Sequence, residues 1–456
     1  MIKKTGNIWL FMAKAIMFFA VLGVFFIGQN IFYEQTLFYY WGNYIVLLLY
    51  TAYLYFLCKI YQAFNFGSLK ISEIILSWVF CLSVTNILEY LILSLLESKL
   101  LPIIGFLVVL AAQYVLVIPL TFLINKLYYN LNPVQKAVII SGNEEKAREY
   151  RDIIEKHRKK FEVSMGVSQD ENTETLLGLI EGSDSVFFLD VDDRYLGRLL
   201  EHCFLHNKHT YILPTFSGVL LNTAEISWIS NTPMFLPKNP EPDLGARFIK
   251  RCMDILISLP VIILFSWLML ITWAAIILYD RRAAIYKQTR VTRNGKLFTI
   301  YKFRSMRPDA EDDGVPRLTS RFDERITPVG RIIRRTRIDE LPQLFNVLSG
   351  SMSLVGPRPE RPEIAKMYEE IYPNFSLRTK VKAGITGFAQ IYGRYNTAPD
   401  EKLFLDIMYI EKFSIWQDFK LLMQTLPVLF KPSSTEGVPE DSTTALRTEK
   451  NGKEES

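Results

Sequence analysis

A chain of 456 residues with 50% hydrophobic and only 22% charged content is long enough for two or three domains and too apolar on average for a wholly water-soluble enzyme. The net charge of +5 is modest, but an arginine-rich stretch between residues 281 and 337 makes a local basic surface suited to lipid headgroups or phosphates, so membrane lipid and not nucleic acid is the expected partner. Cys58, Cys81, Cys203 and Cys252 show no paired or metal-type spacing, which argues against a disulfide framework or a cysteine-based zinc site.

Four apolar blocks come first, at residues 8–28, 42–58, 74–96 and 102–124. Each runs for about 17 to 23 residues, enough to span a bilayer. The first reads as an anchor and not as a cleaved leader, because its apolar run is too long and no small-residue cleavage site follows it. Lys3, Lys4 and Lys14 precede or open the first block, Lys59 and Lys70 separate the second from the third, and Lys126 and Lys136 follow the fourth, while the outer loops hold only Lys99. The positive-inside rule then places the N-terminus and everything after Lys126 in the cytoplasm.

Residues 137–141 read as a buried strand, 144–160 as a charged helix, 185–189 as a strand and 195–206 as a helix, an alternation that makes a small α/β module of 134–240. Ser141, Gly142 and Asn143 stand where a dinucleotide-binding turn wants three spaced glycines, so a degenerate, structural Rossmann-like module is expected. Asp190, Asp192 and Asp193 resemble the acidic triplet with which glycosyltransferases hold a metal and a nucleotide sugar. Their place between a strand and a helix favours capping of free N–H groups instead. His202 and His206 share a helical face, with His209 close by, and a solvated helix end is favoured over a metal site.

A linker rich in Pro and Asn at 233–242 leads to a fifth apolar block, 255–278. Pro260 lies near its start with Ser258 two residues before, and Lys250 and Arg251 on one side face Arg281, Arg282 and Lys287 on the other. Both ends therefore claim the cytoplasm. A helix that enters, breaks at Pro260 and returns satisfies both flanks, with the serine hydroxyl pairing backbone groups that proline leaves open.

From 286 to 430 the chain contains no histidine and no cysteine, so a nucleophile or base there is a carboxylate, Lys, Tyr or Ser. The densest polar cluster is Arg334, Arg335, Arg337, Asp339, Glu340 and Gln343, followed by Arg358 between two prolines. Adjacent acids on a helix point about 100° apart, which lets Asp339 and Glu340 face different partners, one a metal and one a phosphorus atom. Arginines nearby suit phosphate oxygens. The same spacing also fits a capped helix start in which the acids only complement the dipole.

The strings YKFRSM at 301–306, RIDELPQLFNVL at 337–348, SLVGPRPE at 353–360 and KAGITGFAQIYGR at 382–394 resemble the bacterial sugar transferase family, the monotopic phosphoglycosyl transferases that start capsule, exopolysaccharide and O-antigen units. The layout is similar to that family's large members, the undecaprenyl-phosphate hexose phosphotransferases. The resemblance implies that Asp339 is the nucleophile, Glu340 a Mg²⁺ ligand and Arg358 a contact to the donor's phosphate or uridine. It implies further that Lys302 and Arg304 form a basic motif, that Asp406 supports the catalytic site less directly, and that Gln343, Arg394 and Tyr409 join the substrate-binding residues. Ser258 and Pro260 would mark the break of a re-entrant hairpin.

The expected fold class is thus a membrane α/β protein: four transmembrane helices in 1–130, a Rossmann-like cytoplasmic module in 134–240, a hairpin-anchored, mainly helical catalytic domain in 247–430 and a disordered tail in 431–456. The expected reaction moves a hexose 1-phosphate, glucose or galactose first, from a UDP-sugar to undecaprenyl phosphate at the inner membrane, releasing UMP. Transfer between phosphate anions needs charge neutralised more than protons removed, which Mg²⁺ and arginines provide. Competing readings are a glycosyltransferase built on Asp190–Asp193 that releases UDP, and a non-enzymatic nucleotide-binding scaffold. The membrane bundle and the α/β module offer surfaces for a homodimer.

Overall fold

The architecture is that of a computed structural model, which describes residues 2–33, 41–155, 160–237, 242–307, 323–372, 374–393 and 399–428. Arg394 and the tail at 431–456 lie outside the described residues. The chain divides into two compact units, Met1–Thr215 and Phe216–Ser456.

The first unit opens with four long helices, α1 (Ile2–Tyr33), α2 (Gly42–Ile60), α3 (Ile71–Leu96) and α4 (Ile103–Leu131). All four are long and apolar enough to cross a membrane. Their outer faces carry Phe11, Phe19, Leu48, Leu95 and Val115 fully in view, a surface that is stable only against lipid or protein. Their shared interior is partly polar, because Asn86 donates to the Tyr50 hydroxyl at 3.1 Å and to Gln113 Oε1 at 2.8 Å, and Gln113 Nε2 donates to the same hydroxyl at 2.9 Å. Side-chain bonds of this kind hold helices together where water gives no hydrophobic drive.

The α/β part contains β1 (Gln135–Ser141), α5 (Glu144–Glu155), β2 (Phe161–Ser168), α6 (Thr173–Glu181), β3 (Ser185–Leu189), α7 (Asp193–Leu205) and β4 (His209–Ile212). Its sheet is wholly parallel in the order β2-β1-β3-β4. In β1, Val138 and Ile140 pack with α6 and α7 on one face while Ala137 and Ile139 pack with Ile154 of α5 on the other, so an unbroken apolar strand is buried on both sides. The parallel α/β module is as expected, and its order 2-1-3-4 is that of the flavodoxin-like doubly wound sheets. Gly142 serves packing, since a Cβ there would fall 2.3 Å from the Asp190 carbonyl oxygen.

The expectation ended this module near 240, but the division falls at 215. The short α8 (Phe216–Leu221) packs Val219 with Tyr368, Phe375, Leu403 and Ile407, all of the second unit. A hairpin, β5 (Glu225–Ile229) and β6 (Thr232–Leu236), follows.

Next comes α9 (Leu244–Asp280), one helix of 37 residues with Pro260 inside it and a left-handed cap at Arg281. The expected break at Pro260 into two helices is therefore absent: the hydrogen-bonded helix continues through the proline. Ser258 is fully buried and its hydroxyl makes no hydrogen bond among the described residues, so it does not pair the backbone as expected.

Both ends of α9 pack on the same domain. Near its start, Arg251 donates to the carbonyls of Val347 at 2.6 Å and Leu348 at 2.5 Å, and buried Asp254 accepts from Ser353 Oγ and Leu354 N–H at 3.0 Å each. Near its end, Ile276 joins Ala284, Phe303 and Ile333. The rest of the domain is β7 (Ile285–Val291) and β8 (Leu297–Phe303) as an antiparallel hairpin, α10 (Pro328–Arg335), α11 (Gln343–Ser349), β9 (Ser353–Val355), α12 (Pro362–Ile371), β10 (Gly384–Thr386), α13 (Phe388–Tyr392), α14 (Pro399–Glu411) and α15 (Ile415–Val428).

Candidate active site

The acid pair sits on a single 3-10 turn, Ile338–Glu340, between α10 and α11. Thr327 starts α10 by accepting the Gly330 N–H at 2.9 Å, and Gly330 lies so close to the end of β8 that a Cβ there would meet the Ser305 carbonyl oxygen at 1.9 Å. Only glycine lets α10 approach this closely. Arg337 then takes a left-handed conformation, φ 58°, which ends α10 and turns the chain into the acid pair. On the far side Asn346 of α11 accepts the Tyr301 N–H at 2.9 Å and donates to the Thr299 carbonyl at 2.8 Å, tying α11 to the edge of β8.

That tie brings Lys302, on β8, to the acids. Glu340 Oε1 meets Lys302 Nζ at 3.3 Å, Arg337 NH1 at 3.7 Å and Arg358 NH2 at 2.9 Å. Burial alone would raise the Glu340 carboxyl, but Arg358, Lys302 and Arg337 outweigh it and hold the group well below the usual carboxylate range. Asp339, 9% exposed, behaves oppositely: burial and then the Glu340 charge push its carboxyl up to about 6, against the pull of Lys302, Arg334 and Arg337. Burial draws the Lys302 ammonium down, with Glu340 opposing that fall.

Arg358 is placed by its prolines and by β9 pairing in parallel with β10, where Gly356 donates to the Thr386 carbonyl and Gly384 to that of Pro357. Its own carbonyl accepts from Arg378 NH2 at 2.9 Å. Arg378 is buried and pairs with Asp406 at 2.6 Å and Glu360 at 3.5 Å. Asp406 thus reaches the acid pair through Arg378 and the Arg358 backbone, as positioning and not as contact. Its carboxyl is pushed up to about 6 by burial, with Arg378 opposing.

Tyr409, expected at the substrate, is buried instead: its hydroxyl donates to Asp418 Oδ1 at 2.8 Å, and Lys250 of α9 pairs with the other oxygen of Asp418 and donates to the Val355 carbonyl at 3.0 Å. Arg334 lies close enough to act on Asp339 electrostatically, whereas Arg335 is exposed and Arg304 makes no side-chain bond among the described residues. Gln343 is buried with its Nε2 unbonded one turn after Glu340. The sequence reading missed Arg378, Glu360, Asp254 and the Lys250–Asp418 pair. A charge at the edge of an apolar block was the one signal for Asp254.

A cavity of about 300 Å³ lies against the Pro-Arg-Pro element, lined by Arg358, Glu360, Phe375, Arg378 and Val381 among others. The acid pair does not line it, so the cavity meets the pair's surroundings through Arg358 without containing the pair.

Asp339 and Glu340 offer only hard oxygen atoms, half-enclosed and with no imidazole or thiolate nearby in sequence, a donor set that fits Mg²⁺. Elsewhere the aspartates of the first unit make lateral pairs: Asp190 with Lys146 at 3.0 Å and Asp192 with Arg194 at 3.6 Å, and Asp192 at the start of α7 forms no side-chain cap, which corrects the capping expectation.

Fold and site define a membrane-associated α/β protein whose buried acid pair is ringed by cations. A family model described as bacterial sugar transferase matches residues 245–432. The chain is 35% identical over 253 residues to the undecaprenyl-phosphate galactose phosphotransferase of Salmonella typhimurium, covering 52% of this chain and 52% of that protein. It is 38% identical over 232 residues to the UDP-N-acetylgalactosamine-undecaprenyl-phosphate N-acetylgalactosaminephosphotransferase of Aeromonas hydrophila, covering 50% and 54%. It is also 38% identical over 198 residues to the UDP-glucose:undecaprenyl-phosphate glucose-1-phosphate transferase of Caulobacter vibrioides, covering 42% of this chain and 74% of the relative. The chain spans about half the length of the first two. It belongs to the bacterial sugar transferase family.

Proposed function

We propose that this protein transfers a hexose 1-phosphate from a UDP-sugar to undecaprenyl phosphate, releasing UMP, as the first step of a surface polysaccharide. The observation that carries this reading is the acid pair itself: a buried Asp339 beside a Glu340 whose oxygen draws Lys302, Arg337 and Arg358 together. Such a ring binds the anionic donor and steadies charge as it moves to the leaving phosphate. The relatives' names all carry undecaprenyl phosphate, two of them also a UDP-sugar, with galactose, glucose or N-acetylgalactosamine as the sugar.

In the first step an Asp339 oxygen attacks the sugar-bearing phosphorus, the bond to the oxygen bridging the two phosphates breaks, and UMP departs with that oxygen and its charge. In the second, an oxygen of undecaprenyl phosphate attacks the same phosphorus and frees the Asp339 carboxylate. Arg358 and Lys302 hold the donor's phosphates during the first step, and Arg378 with Asp406 keeps Arg358 in place. Glu340 would hold Mg²⁺, which supplies further neutralisation of the diphosphate.

The membrane arrangement belongs to the same reading. At 37 residues α9 is roughly 55 Å long if straight, well beyond a hydrocarbon core of about 30 Å. Its two ends pack on one domain and both flanks are basic, which supports a helix that bends at Pro260 without breaking and so enters and leaves through the cytoplasmic leaflet of the inner membrane, with the acid pair on the cytoplasmic side. A panel of UDP-sugars with undecaprenyl phosphate, scored for nucleotide product, tests the reaction: UMP is expected, and UDP as the product would mean glycosyl transfer instead.

A further inference from the structure

The first unit carries a cluster that the transfer reaction does not use. Glu181 ends α6, and His202 and His206 lie one turn apart near the end of α7. One ligand atom from each lies within 4.8 Å of the other two, with Glu181 Oε1 3.4 Å from His202 Nε2 and 3.9 Å from His206 Nε2. Bond lengths of about 2.0 to 2.2 Å around a tetrahedral zinc ion put neighbouring ligand atoms roughly 3.3 to 3.5 Å apart. The separations seen are those of a site that needs only a small closure.

Ring orientation points the same way. His206 Nδ1 lies 2.9 Å from the His202 carbonyl oxygen, which can only accept, so Nδ1 donates there and Nε2 is the ring nitrogen turned to the cluster. An outer nitrogen bound to a backbone carbonyl is how metal-ligating histidines are oriented. His202 Nε2 is shielded from solvent and makes no hydrogen bond among the described residues. The two rings lie 4.1 Å apart, centre to centre.

The third ligand is also held from outside. Lys208 donates to the carbonyls of Glu181 at 2.7 Å and Ser183 at 2.6 Å, fixing the end of α6 beside α7. The expected solvated helix end is thus only half right: His202 is mostly enclosed, with its side chain 17% exposed, and His209, at the start of β4, stands outside the cluster.

We propose that Glu181, His202 and His206 bind a divalent transition metal of the zinc type, with a fourth position open to water, as a strut between α6 and α7. Two imidazoles and one carboxylate select such an ion over Mg²⁺, so this site is chemically separate from the acid pair.

The test uses the full chain in detergent, stripped of metal and kept in Mg²⁺. Co²⁺ titration should produce the visible absorption of a tetrahedral site and saturate at one equivalent, and Zn²⁺ should displace it in competition with a chromophoric chelator. His202→Ala and His206→Ala should each weaken Zn²⁺ by roughly tenfold or more, since loss of even an outer-shell partner costs about 10- to 100-fold. Glu181→Gln, at an exposed position with little bearing on folding, should weaken it as well. No saturable equivalent, or the same affinity in the His202→Ala/His206→Ala double variant, would overturn the proposal. Loss in the histidine variants with none in Glu181→Gln would overturn the three-ligand assignment.

Discussion

Asp339 and Glu340 are neighbours in sequence and opposites in chemistry. One is enclosed and resists ionisation, while the other is held ionised by three cations. The pair therefore sets a reluctant anion beside one held in its charged form. Incubation with UDP-sugar but no lipid should add one hexose phosphate to the intact mass, and Asp339→Asn should abolish that addition. Glu340→Gln should remove nearly all turnover while leaving the melting temperature close to that of the parent, and near-normal turnover at ordinary Mg²⁺ would contradict its assignment as a ligand.

The pH dependence carries a sign that can be checked. In the proposed mechanism Asp339 must be ionised to attack, so kcat/KM should fall on the acid side as it takes up a proton. Lys302 favours the ionised form, and Lys302→Met removes that help. The acid limb should move to higher pH in the variant, beyond any general loss of rate. A limb that stays in place would show that another group titrates.

Among the elements, α9 does most to join membrane and site. Its Lys250 faces the fully buried Asp418, and breaking a buried pair by removing one partner costs about 3–5 kcal/mol. Lys250→Met should therefore lower the thermal transition clearly, whereas Lys287→Met, on the half-exposed β7, should not. Single cysteines placed near Asp243 and Asp280 in a cysteine-free background should both react from the cytoplasmic side only. Labelling of the second from the periplasm alone would show that α9 crosses.

The elements also show what a sequence displays and what it conceals. The apolar helices were legible because lipid demands long unbroken runs, and β1 and β3 because both faces are buried. In contrast β2, with exposed Ser164, Met165 and Gly166, and the four-residue β4, fully exposed, carry no such pattern. Asp339, Glu340 and Arg358 stood out by crowding. The Lys250–Asp418 pair is separated by 168 residues and Arg378 sits in an unremarkable polar turn, so only the folded chain brings them to the site.

For the whole molecule, the proposed two-step transfer would let one centre at the membrane surface serve a water-soluble donor and a lipid-bound acceptor in turn. Initial rates with both substrates varied should give the parallel lines of a ping-pong mechanism, with UMP released before lipid is needed. Intersecting lines, with UMP release that waits for lipid, would argue for direct transfer.

Lys250 also grips the Val355 carbonyl, three residues before Arg358. The apolar helix proposed to sit in lipid and the loop proposed to meet the donor are therefore joined through one short stretch of backbone. Anything that alters how α9 is solvated, a micelle in place of a bilayer or a thinner acyl layer, pulls on the arm that holds Arg358. On the proposed function, the choice of solubilising agent is thus a kinetic variable, and the KM for the donor should respond to it even though the donor itself never enters the lipid.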